Sequence, residues 1–70
     1  MTIEWQRNSD YWIGTTEVTY PRFEAWQSNN TVGNSWCLDI KRSPGREPIK
    51  VRALQSSKAV IEFVEGFLRA

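Results

Sequence analysis

Trp36-Cys37-Leu38-Asp39-Ile40-Lys41-Arg42-Ser43-Pro44-Gly45-Arg46-Glu47-Pro48-Ile49-Lys50-Val51-Arg52-Ala53-Leu54 is the stretch that decides how this chain folds. Trp36, Leu38 and Ile40 alternate with Cys37, Asp39 and Lys41, so three apolar side chains share one face of an extended strand. Ile49, Val51 and Ala53 repeat the pattern in Pro48 to Leu54. Ser43-Pro44-Gly45-Arg46 lies between the two runs and has turn chemistry: proline presets φ and glycine tolerates the left-handed region. Matching the apolar faces sets the register. It pairs Ile40 with Ile49, Leu38 with Val51 and Trp36 with Ala53. On the other face Asp39 meets Lys50, which predicts an ion pair, and Cys37 meets Arg52.

Downstream, Val60, Phe63, Val64, Phe67 and Leu68 recur at helical spacing and predict an amphipathic helix from about Ser57 to Arg69. Ser56 or Ser57 caps its start. Lys58–Glu62 and Glu65–Arg69 are i,i+4 pairs on the wet face. Ile61 lies off the stripe, where it widens the buried face or meets a partner. Gly66 weakens the helix by about 1 kcal/mol relative to alanine, a cost consistent with close packing on the sheet.

Upstream, Thr2 to Gln6 alternates as a short strand with Ile3 and Trp5 on one side. Arg7 to Asp10 is a turn cluster. Tyr11 to Tyr20 is rich in aromatic and β-branched residues and reads as a strand, with Gly14 marking a bulge or a close backbone approach. Pro21 belongs at an edge or a bulge. Arg22 to Gln27 is again extended, and Gln27 to Ser35 reads as a polar loop. The expected fold is α+β: an antiparallel β-meander of four to five strands, residues 2–54, followed by one C-terminal amphipathic helix, residues 57–69, packed on one sheet face.

Seventy residues make one small domain, residues 1–70, with a formal net charge of +1. One cysteine excludes an intrachain disulfide, and the lack of histidine removes the commonest transition-metal ligand. No metal or cofactor is expected. The core must rest on aromatic packing: four tryptophans, two tyrosines and three phenylalanines, each able to bury roughly 150–250 Å². Met1 to Trp5 has no basic region leading into an apolar run, and no stretch is apolar enough to span a membrane. The expected location is therefore cytoplasmic. Asn29-Asn30-Thr31 matches a glycosylation sequon but reads as a chance match.

Catalysis finds little to build on. Cys37 has no histidine as a base and sits in mid-strand. Glu62 and Glu65 lie on a solvated helix face, and Glu4, Asp10, Glu17 and Glu24 suit solvent-facing strand ends. The four glycines are scattered and no glycine-rich loop opens a helix. The reading is that the chain is not an enzyme.

Charge is unevenly spread. Residues 1–39 hold two cations and five carboxylates, net −3, and residues 40–70 hold seven cations and three carboxylates, net +4. Lys41, Arg42, Arg46, Lys50 and Arg52 gather on or beside the hairpin. Adjacent Tyr11 and Trp12 point to opposite faces of a strand, so both cannot enter one core. One helix is too narrow to cover every ring, which leaves aromatic surface for another molecule.

The order of sheet and then helix, ending in Ile49-Lys50-Val51-Arg52-Ala53-Leu54-Gln55-Ser56-Ser57-Lys58-Ala59-Val60-Ile61-Glu62-Phe63-Val64-Glu65-Gly66-Phe67-Leu68, is similar in layout to the sheet-plus-helix units of the PUR and Whirly families of single-strand binders. It is similar also to many small phage and bacterial proteins of unknown role. The likeness covers about the last 35 residues and carries over no functional residue.

The leading expectation is a small non-catalytic binding module for single-stranded nucleic acid. Lys41, Arg42, Arg46, Lys50 and Arg52 would neutralise phosphates while Tyr11, Trp12 or Trp26 stack on bases. The competing expectation is a protein–protein adaptor or inhibitor, such as a phage-type small protein acting on a host factor, with the aromatics as anchors and the charges as a rim. Surplus aromatic surface on a small core also predicts a homodimer.

Overall fold

The computed structural model describes residues 2–30 and 33–69. Five strands form one antiparallel meander in the order β1-β2-β3-β4-β5, followed by a helix. They are β1 (Glu4–Arg7), β2 (Tyr11–Thr15), β3 (Arg22–Asn30), β4 (Gly33–Lys41), β5 (Ile49–Leu54) and α1 (Ser57–Arg69). The fold class and the helix limits are those the apolar periodicity predicts. No helix is long and apolar enough to cross a membrane.

The β4–β5 hairpin keeps the expected pairs Ile40–Ile49, Asp39–Lys50 and Leu38–Val51. Its turn is closed by the Arg46 amide donating to the Ser43 carbonyl at 3.4 Å, with Gly45 at φ 78°. Proline then glycine at the central positions, the second with positive φ, describes a type II turn. Beyond Val51 the expected register fails. Trp36 pairs with Leu54 rather than Ala53, so Arg52 and Ala53 together oppose Cys37. This bulge pushes Ala53 into solvent at φ 61° and lets the larger Leu54 take the apolar position.

Other strand limits differ from expectation as well. β1 is Glu4–Arg7 rather than Thr2 to Gln6, so Arg7 joins the strand instead of the turn cluster. The expected loop from Gln27 to Ser35 is strand over its described residues: Ser28 pairs with Ser35, Asn29 with Asn34 and Asn30 with Gly33, so β3 runs on to Asn30 and β4 begins at Gly33. Ladder hydrogen bonds satisfy a backbone whatever its side chains. Thr31, the last residue of the sequon, lies outside the described residues. In the other direction, β2 stops at Thr15. The Thr16 hydroxyl donates to the Val18 carbonyl and accepts from the Val18 amide, so a local turn replaces the ladder before the cis Tyr20–Pro21 bond.

Alternation divides the sheet into two faces. The inner face carries Phe23, Ala25, Leu38 and Ile40, all fully buried, together with Val60 and Val64 of α1. The helix packs on β4 and β5 and reaches β3 through Phe67, whose ring stands edge-on to Phe23 at 6.0 Å. Ser56 is the cap, its Oγ accepting the Ala59 amide at 3.1 Å. Phe63 departs from the expected stripe and is 41% exposed, whereas Ile61 packs against the core. At about 100° per residue, the arc from Phe67 through Val60 and Val64 to Ile61 is centred well away from Phe63. Gly66 faces open space, so its place is not explained by close packing. Neither Lys58–Glu62 nor Glu65–Arg69 forms an ion pair among the described residues.

Toward β1 and β2 the rings cover one another. Trp12 is buried to 9% exposure by Trp5 at 5.8 Å, Trp36 at 5.1 Å and the Arg7 guanidinium at 4.5 Å. Gly14 makes no bulge and meets no second backbone. It is the seat of the Trp5 ring.

Candidate binding face

The face that α1 does not cover is built by the residues between the core positions. Phe23 and Ala25 point inward, which turns Glu24 and Trp26 outward on the same strand. The ladder then sets Tyr11, Trp26 and Cys37 side by side across β2, β3 and β4. In the next row it aligns Ile13, Glu24, Asp39 and Lys50 across β2 to β5.

Tyr11 and Trp26 stand as a parallel stack, ring centroids 6.3 Å apart and planes 11° from each other. From the far side Arg52 reaches across β4 and lays its guanidinium 5.2 Å from the Trp26 ring. Cys37, beside Trp26 on β4, is 8% exposed. The strand order puts Tyr11 on one side of Trp26 and Arg52 on the other. The indole is therefore flanked on both sides and half-buried. Tyr11 itself is 37% exposed.

The charges of this face are mostly used within it. Glu24 accepts the Tyr11 hydroxyl at 2.6 Å and Lys41 Nζ at 2.6 Å, with Arg22 Nε at 3.9 Å. The Lys41 hydrogen bond, helped by that from Tyr11, holds the Glu24 carboxyl below the usual carboxylate range. Reciprocally, the hydrogen bond to Glu24, with burial adding to it, pushes the Tyr11 hydroxyl up to about 12. Asp39 pairs with Arg52 at 3.0 Å and not with Lys50, because the bulge lets the longer, forked Arg52 side chain reach back diagonally. Arg52 also donates to the Leu38 and Val51 carbonyls.

Of the eight residues singled out in the sequence, the structure brings Tyr11, Trp26, Lys41, Lys50 and Arg52 onto this face. Arg42 and Arg46 lie at its end in the β4–β5 turn, where the Arg42 guanidinium donates to the Glu47 carbonyl. Trp12 is separated from the rest: it is on the inner face and buried, so it is no stacking platform. Sequence reasoning put Asp39 on the outer face opposite Lys50 but missed Arg22 and Glu24 as parts of that face. Glu24 was expected at a solvent-facing strand end. The alternation through Phe23 and Ala25 was the available signal that it lies in mid-face beside Trp26.

No family model matches the chain, and neither a curated protein nor a solved structure matches it. Among the described residues no group of histidine, cysteine or carboxylate side chains is arranged to hold a metal ion.

Proposed function

We propose that this chain is a small non-catalytic protein-binding module that works through its uncovered sheet face. The observation that carries this reading is the Tyr11–Trp26–Arg52 stack, fixed between two satisfied ion pairs. Tryptophan, tyrosine and arginine are the residue types that dominate binding hot spots. Here they are held in place before any partner arrives, so little side-chain entropy is left to lose on association. A base would need an open ring face to stack on, and Arg52 already lies over the Trp26 ring.

The test is an affinity capture at high salt with the wild-type chain and Trp26→Ala in parallel, alongside a titration with a single-stranded oligonucleotide at low salt. The proposal expects a protein retained by wild type and lost by the variant, with no oligonucleotide shift. Retention that is indifferent to Trp26 counts against it.

A second reading keeps one specific support. Arg46 and Lys50 have no carboxylate partner among the described residues, and Tyr11 is partly exposed. A nucleic-acid strand bound there would weaken steeply with added salt, whereas an aromatic-anchored protein contact would respond little.

A further inference from the structure

Resting on that reading, we infer the chemistry of the partner: a protein segment that is acidic where it meets the β4–β5 turn and apolar where it crosses the Tyr11–Trp26 row. Arg22, Lys41, Arg42, Arg46, Lys50 and Arg52 belong to the uncovered face and its hairpin end, against Glu4, Glu24, Asp39 and Glu47, for a local net charge of +2. The remaining three cations and four carboxylates of the chain give −1.

Within the face the positive charge is not uniform. Lys41 and Arg52 are tied to Glu24 and Asp39, so the middle is close to neutral and displays rings. The unspent cations, Arg46 and Lys50, lie toward the turn, with Arg42 beside them. From Cys37, in the Trp26 row, to Lys41 at the end of β4 is four residues, or about 13 Å at about 3.3 Å per residue. A segment of a few extended residues spans both zones. A second copy of this face is a poor occupant. Isologous pairing brings the same patch against itself, which sets the positive end of the face against another positive charge or against neutral surface.

The test uses synthetic polymers as probes: a glutamate–tyrosine copolymer, polyglutamate, a lysine–tyrosine copolymer and an oligothymidylate, each titrated against the full chain. The inference expects the glutamate–tyrosine copolymer to bind at least tenfold more tightly than the other three. Arg46→Glu with Lys50→Glu should lower that affinity tenfold or more, and so should Trp26→Ala. Tyr11→Ala serves in its place if Trp26→Ala loses its fold. Equal binding of polyglutamate overturns the apolar half, and preference for oligothymidylate overturns the protein class. Trp26-dependent binding of the lysine–tyrosine copolymer overturns the acidic partner while leaving the face a protein-binding surface. Failure of both tyrosine copolymers overturns the inference and the reading beneath it. A doubling of mass in light scattering, abolished by Trp26→Ala, would name a second copy as the occupant and overturn it likewise.

Discussion

Trp5 and Gly14 face each other across the β1–β2 ladder, and the indole fills the space that a side chain on residue 14 would need. A Cβ there would lie 2.9 Å from Trp5 Cζ3 and 3.0 Å from Ile3 Cδ1. The edge strand thus packs its one large ring flat on the sheet only because its neighbour has none.

Gly14→Ala is therefore expected to destabilise the fold. Overpacking of this kind costs about 1–3 kcal/mol, more than the roughly 0.5–1 kcal/mol that replacing a strand glycine otherwise contributes. Urea denaturation measures it. In a Trp5→Leu background the penalty should shrink, since the two sites are coupled through one contact. An unchanged midpoint for Gly14→Ala would refute the account.

Ala53→Gly should act in the opposite direction. Ala53 is exposed at φ 61°, a region that costs an L-residue about 1 kcal/mol or more. Glycine removes that strain, partly offset by its greater freedom in the unfolded chain. A higher urea midpoint at constant slope is expected. A lower midpoint would mean that the Ala53 methyl contributes more than its backbone strain costs.

Gly66→Ala should also stabilise. The position is in mid-helix, and an added Cβ meets nothing within 4 Å. The propensity difference is about 1 kcal/mol, which raises Tm by roughly 4–8 °C in a domain of this size. Loss of stability would show that α1 needs a bare backbone at this position.

The Tyr11–Glu24–Lys41 cluster gives stability two pH edges. Glu24 has a lowered folded-state pKa, so its contribution is present above the ordinary carboxyl range and disappears as pH falls through the folded value. Tyr11 is raised from 10.0 to about 12. Its contribution is complete below pH 10.0 and disappears as pH rises toward 12. In Glu24→Gln the phenol, followed by its ultraviolet absorbance against a Tyr11→Phe blank, should titrate nearer its ordinary value. An unmoved midpoint would show that Glu24 is not what holds the proton.

Alternation along Trp36 to Ile40 and the helical stripe from Val60 to Leu68 were enough to determine the meander, its C-terminal helix and most of the last hairpin's register. These are local properties, since a side chain's facing follows from its strand or helix spacing. The polar run from Gln27 to Ser35 hid a ladder because backbone hydrogen bonds leave no mark on composition. The bulge at Cys37 was equally hidden, as it follows from which of Ala53 and Leu54 fills the space opposite Trp36. Alternation also placed Tyr11 and Trp12 on opposite faces, but not which face α1 would cover. Only the assembled sheet decided that Trp12 is covered and Tyr11 exposed, that Arg52 rather than Lys50 holds Asp39, and that Trp26 lies between Tyr11 and Arg52. Each of these depends on distances between strands far apart in the chain, and such distances exist only once every layer is packed.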